Sequence, residues 1–316
     1  MPPLNLHEQN PVRGIVLKLV AILLFTIMSA LIKVGREVVP PGEAVFFRSL
    51  FAIPPILIWA LWRGRIVAAF RVNNGMAHAS RGLVGVASMA CGFTALGLLP
   101  LPEVIAIGYA APLLATALAA LILRERVGPF RWTAVGVGLA GVLLMVWPRL
   151  TLLEADAAIT DAQALGAWFA LLGAALGGFS AVQIRRLTSS ETTMSIVFWF
   201  AVTCTLASLA TLPFGWAFPT GWTLVALVAA GLLGGTAQIL MTESYRQADA
   251  STLAPISYTS MVYGLAIGYV FFAEMPGWWV LGGASIVISA GILIIWREHR
   301  LGIINARARA AKPPQG

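Results

Sequence analysis

The chain has 316 residues, of which 59% are hydrophobic and 11% charged. Soluble domains carry roughly 25% charged residues, so there is too little polar material here to coat a globule; disorder, a coiled coil and a disulfide-rich secreted scaffold are excluded as well. The formal net charge of +8 would point to nucleic acid in a soluble domain, but in so apolar a chain it reflects loop topology, and no nucleic-acid partner is expected.

The expected fold class is an all-α polytopic membrane protein. After a short N-terminal segment, 1–13, ten apolar stretches follow at 14–34, 43–62, 77–99, 102–123, 130–147, 164–187, 192–212, 221–243, 250–272 and 277–296. Each is long enough to cross about 30 Å of hydrocarbon as a helix. Barrel strands would be about half as long and would alternate polar and apolar residues. The first stretch is too long for the apolar core of a signal peptide and reads as a retained helix. Cys91 and Cys204 lie inside apolar runs and read as small core residues rather than a disulfide.

A charge inside a bilayer costs about 2.5–3.5 kcal/mol on insertion scales, so each one needs an account. Span 1 carries Lys18 early, where snorkelling explains it, then Ser29, then Lys33 near the outer end. Lys33 either snorkels or serves as an outer-gate cation for a substrate carboxylate. Span 2 carries Arg48, five residues after Glu43. It reads as bonded to backbone carbonyls or to Glu43, with attraction of substrate as the other reading. Span 3 brings Ser88 and Thr94, and span 4 brings Tyr109, Pro112 and Thr116. In span 5, Gly136, Gly138 and Gly141 fit a dinucleotide fingerprint, which is rejected because no strand precedes it. Ser180 and Gln183 follow in span 6, Trp199 and Phe200 in span 7, Gln238 and Thr242 in span 8, and Pro255, Ser257, Tyr258 and Tyr263 in span 9.

Single hydroxyls can bond their own helix. The two glutamines are more telling, because an unpaired amide in hydrocarbon is costly; each is helix–helix glue or a ligand contact. Pro112 and Pro255 each remove a helix hydrogen bond inside a span, giving a static kink or a hinge. The candidate substrate contacts are Gln183, Gln238, Tyr109, Tyr258, Ser257, Tyr263, Trp199, Ser29 and Ser180. The candidate gate or hinge residues are Pro112, Pro255, Lys33 and Arg48.

Placing the N-terminus inside puts Arg63, Arg65, Arg71, Arg81, Arg124 and Arg126, with most other basic residues, in inside segments. Only Arg36 and Arg149 fall outside. Basic loops face the cytoplasm, so both termini are expected there, in a bacterial inner membrane. The outside loop 150–163 is acidic through Glu154, Asp156 and Asp161. The basic tail 298–316 reads as a segment near anionic lipid.

The halves repeat. YAAPLLATALAALILRE from Tyr109 to Glu125 matches YTSMVYGLAIGYVFFAE from Tyr258 to Glu274, a shift of 149. Five spans are thus duplicated, as units 14–149 and 164–297. Five is odd, so the second unit enters from the opposite side, the arrangement many carriers use to build two gates around one midplane site.

With these features the chain resembles the drug/metabolite transporter superfamily, of the bacterial ten-helix EamA type. The resemblance rests on the two five-helix halves, on Arg48 in helix 2, on residues 111–148 and, more loosely, on 254–276. It implies ten helices around a central cavity, with helices 5 and 10 at its margin. Within the superfamily the nearest specific likeness is to amino-acid exporters, aromatic ones included.

No carboxylate lies in the middle of any span, and His7, His78 and His299 are terminal or in loops. A proton-driven carrier usually places such a group at midplane, so facilitated, gradient-driven movement is expected, or coupling through a peripheral group. Neutral amides and hydroxyls suit a zwitterion, an amide or a polar ring. A multiply charged anion would need a midplane cluster of Lys and Arg, which the sequence does not place. No paired His/Asp/Glu cluster marks an enzyme, and neither cofactor nor metal is expected. The expectation is a secondary transporter of small organic solutes, acting as a monomer by alternating access. Export of amino acids and related metabolites is the first reading. The alternative is import of a vitamin, a nucleoside-like compound or S-adenosylmethionine.

Overall fold

Proline decides where many of the helices begin. It lacks the N–H that a first-turn residue does not need, and its fixed φ suits a helix start. The computed structural model describes residues 11–36, 38–122, 129–150, 161–187, 190–247 and 255–310. Span 1 is α1 (Pro11–Gly35). Span 2 is two helices, α2 (Pro41–Leu50) and α3 (Ile53–Trp62), the second with proline in its first turn. A short α4 (Ile66–Phe70) follows. Span 3 is α5 (Gly75–Leu98), capped by Asn74, whose side chain accepts from the Ala77 N–H at 3.0 Å.

Span 4 breaks as well, into α6 (Leu101–Gly108) and α7 (Ala110–Ile122). Span 5 is α8 (Pro129–Leu150) and span 6 is α9 (Asp161–Leu187). Span 7 is α10 (Thr193–Ser208), prolonged by a 3₁₀ turn over Leu209–Phe214. Span 8 is α11 (Gly221–Gln247). In span 9 a 3₁₀ turn over Pro255–Tyr258 leads into α12 (Thr259–Phe272). Span 10 lies within α13 (Trp278–Ala310). Six of these segments are long and apolar enough to cross a membrane. Shorter apolar helices, Leu101–Ala115, Trp132–Trp147, Ile256–Phe272 and Trp278–Leu293, fall at the remaining predicted positions. Among the described residues there is no strand.

The packing carries the duplication. The two halves are interleaved: α1 lies along α11, α5 along α9, and α8 along α13. Exchanging each span for its repeat partner turns the α1–α11 pair into the α9–α5 pair and returns α8–α13 to itself. The same exchange relates α10 on α5 to α2 on α11, and both contacts are present. This is the pattern of a two-fold axis running between the halves.

Pro54, Pro55 and Pro112 act as the sequence reading has it, as helix kinks. Phe51, Ala52 and Tyr109, just ahead of them, keep right-handed helical angles, so the helical path of spans 2 and 4 continues through a local loss of hydrogen bonds ahead of each proline. Pro255 opens a 3₁₀ turn.

Two readings of charge are corrected. Lys18 is buried, with 2% exposure, and does not snorkel. Arg81 is not a loop residue: the Asn74 cap starts α5 early enough to bury it, at 4% exposure. Cys91 and Cys204 are free and buried, as core residues. Trp168, Trp278 and Trp279 are exposed, as an interfacial belt requires.

Candidate functional site

At the end predicted to face outside, the halves are joined by charge. Lys33, at the end of α1, donates to the carbonyls of Leu96 (3.1 Å) and Leu99 (2.7 Å) on the first half. It also pairs with Glu274 of the second half at 2.9 Å. The other oxygen of Glu274 accepts the Leu101 N–H at 2.8 Å, just where α6 begins. Glu274 therefore clamps a lysine and a helix N-terminus at once. Nearby, the buried carboxylate of Glu43 accepts the backbone N–H groups of Ala217 (2.9 Å) and Phe218 (3.0 Å), a second tie between the halves. The partner of Lys33 is thus a protein carboxylate.

At the opposite end the halves are tied as well. Glu191 accepts from the N–H groups of Asn73 (2.7 Å) and Asn74 (2.8 Å) and lies 3.4 Å from His78. Arg63 pairs with Glu243 at 3.1 Å. Between the start of α5 and the end of α9 lies a crevice of about 310 Å³, lined by Asn74, Met76, Ala77, Ser80, Gln183, Arg186 and Leu187. Gln183 is four residues from the end of α9, so it belongs to this crevice and not to mid-membrane. Its amide N–H donates to Ser80 at 2.7 Å, while its carbonyl oxygen is buried without a partner.

Near mid-depth the repeat closes on itself. Tyr109 and Tyr258 occupy equivalent positions, and their rings meet edge to face at 5.3 Å. The Tyr109 hydroxyl donates to the Tyr258 carbonyl at 3.2 Å and exchanges a hydrogen bond with Ser260 at 2.8 Å. Residues that touch their own repeat partner lie at the two-fold axis. The Tyr258 hydroxyl fills the space beside Gly291 of α13, which any side chain would occupy.

The other candidates are less engaged. Ser29 donates to its own helix at Phe25 (3.0 Å). Ser257 sits in the 3₁₀ turn, where its carbonyl accepts from Ser260. Ser180 is buried on α9, Tyr263 is half-buried on α12, and Pro112 is exposed. Thr116 lies in α7.

A second centre combines residues that the sequence kept apart. Arg48 of α2 and Arg81 of α5 are both buried. Their guanidinium carbons lie 6.0 and 3.9 Å from the centroid of the same ring, Phe200 of α10. The expected bond from Arg48 to Glu43 is absent, because Glu43 is occupied at Ala217 and Phe218. The Nε of Arg48 and the Nε and Nη1 of Arg81 are buried without partners. Gln238 and Arg48 line a small space beside Phe200. The Nε1 of Trp199 is also buried without a partner, and its ring packs on Phe198 at 5.6 Å. The Asn73-Asn74-Gly75 cap was the signal that could have moved Arg81 from loop to helix interior. Among the described residues, no His/Cys/Asp/Glu group could hold a metal ion.

The family model described as the EamA-like transporter family matches residues 12–147 and, a second time, 164–297. The riboflavin transporter of Rhizobium johnstonii is 29% identical, over 83% of this chain and 83% of its own length. The pseudopaline exporter CntI of Pseudomonas aeruginosa is 28% identical, over 89% of this chain and 95% of its own. The S-adenosylmethionine uptake transporter of Rickettsia prowazekii is 25% identical, over 82% and 84%. One solved crystal structure shares the fold, with a TM-score of 0.64 at 21% identity, covering 91% of this chain and 98% of that one.

Proposed function

The chain belongs to the EamA-like transporter family, and from that premise we propose that it exports amino acids and related small metabolites across the inner membrane by alternating access. As a family member it is a multi-pass small-molecule transporter and not an enzyme. The observation that carries the finer reading is that the two ends are tied differently. Lys33 and Glu274 tie one end across the halves; the other is tied by Arg63 with Glu243 and by Glu191 with Asn73 and Asn74, beside a crevice of about 310 Å³ between the halves. Exchanging which end is closed is what an inverted repeat makes possible. Charge bias in the loops supports cytoplasmic termini, which makes the Lys33–Glu274 end the outer one. The mid-depth Gln238 amide, hydroxyls and tyrosines suit a zwitterion with an apolar side chain.

Counterflow into proteoliposomes tests the reading without an imposed ion gradient. Vesicles preloaded with an unlabelled amino acid are expected to accumulate the labelled one, and Tyr258→Ala is expected to abolish the accumulation. Accumulation of riboflavin alone would overturn amino-acid export and leave the carrier. The 29% identical riboflavin transporter makes vitamin transport the second reading.

A further inference from the structure

Two arginines without a counter-charge share one phenyl ring near mid-depth. Arg48 is seven residues into α2 from the predicted outer side, and Arg81 is six residues into α5 from the inner side. At 1.5 Å per residue each starts about 10 Å from its own end, and both guanidiniums reach the Phe200 ring. Gly85 leaves the room that this ring occupies. Phe200 acts as a cation–π platform, which steadies the two charges without neutralising them.

The unmet needs all have one sign. The three buried, unpartnered atoms of Arg48 and Arg81 are donors, since guanidinium accepts nothing. What would complete them is an acceptor carrying negative charge. Glu43 is held by Ala217 and Phe218 and Glu191 by Asn73 and Asn74; Glu243 pairs through one oxygen with Arg63, and its other oxygen is buried without a partner. Among the described residues, none of these carboxylates pairs with Arg48 or Arg81. Buried charges persist when paired, and an unpaired set inside a membrane marks a functional site.

We infer that Arg48, backed by Arg81, binds a single carboxylate group of the transported solute, an assignment that rests on the carrier reading above. The space beside Arg48 and Gln238 is about 10 Å³, close to one water-sized group. It fits one carboxylate oxygen in this conformation, so the rest of the solute enters as the walls part. Those walls come from both halves: Arg48 and Ala52 from the first, Phe200, Gly234 and Gln238 from the second. A carboxylate there is held by both halves together, which ties occupancy to their relative position. The Gln238 amide supplies an acceptor for an ammonium group, which suits an amino acid.

The test uses the full-length protein in detergent. Its thermal unfolding midpoint is measured with a panel of L-amino acids and with their carboxamides, which keep the side chain and lose the carboxylate. At least one acid is expected to raise the midpoint while its carboxamide, sodium chloride and inorganic phosphate do not. Arg48→Gln is expected to weaken the acid's half-saturation about tenfold or more, as when a buried charge loses its partner. Arg81→Met is expected to raise the midpoint of the ligand-free protein, because it removes one of two unneutralised charges, and to blunt the acid's effect. A purely structural Arg81 would instead lower the midpoint on substitution, which counts against the site. Carboxamides that stabilise as well as acids would overturn the inference, as would chloride or phosphate reproducing the whole shift. Counterflow on the same preparation separates the claims. Exchange of neutral solutes with no acid effect leaves the carrier and removes the site. Acid stabilisation without any exchange leaves the site and removes the carrier.

Discussion

Gly291 is the residue on which the contact at the axis turns. Its missing side chain makes room for the Tyr258 hydroxyl, and Tyr258 in turn packs on Tyr109. Gly291→Ala is expected to displace the Tyr258 ring and cost about 1–3 kcal/mol, the range for overpacking a full interior. Thermal unfolding and counterflow, measured together, check it: a small fall in midpoint with a large fall in exchange is the expected result. Much at this scale was legible in the sequence. The 149-residue shift pairs Tyr109 with Tyr258, and they do touch. Gln183 was misplaced although the predicted span 164–187 and α9 end at the same residue, with Gln183 in the last turns of both. Arg81 was missed because it was counted with the inside charges although the predicted span 77–99 already held it.

The interrupted spans matter at the scale of elements. Spans 2 and 4 each lose helix hydrogen bonds just ahead of prolines that stand in the first turn of the segment that follows. A proline inside a continuous helix costs about 3 kcal/mol, whereas in the first turn it is tolerated. Pro112→Ala is therefore expected to change stability by less than about 1 kcal/mol, read as the thermal midpoint. A gain of several kcal/mol would mean that Pro112 had been straining a continuous helix. The sequence announced that these prolines mattered. The loss of regular helix at Gly108 and Tyr109 lies three to four residues before Pro112, where a proline takes away the hydrogen bond to the fourth preceding carbonyl.

The whole molecule is two interleaved halves tied to each other at both ends. Periodicity and length predicted the ten apolar segments, and the repeat predicted the exchange symmetry of their contacts. The partner of Lys33 could not be read, because joining it to Glu274 requires the relative height of two helices far apart in sequence. That pair offers the most direct test of alternating access. Cysteines at positions 33 and 274, with Cys91 and Cys204 replaced by serine, would be joined by a short thiol-reactive linker and cleaved by reduction. A linker suits two long side chains that meet only at their tips, since a disulfide needs Cα atoms within about 7 Å. The account predicts that linking stops counterflow exchange and that reduction restores it; full exchange with the two halves still linked would contradict it.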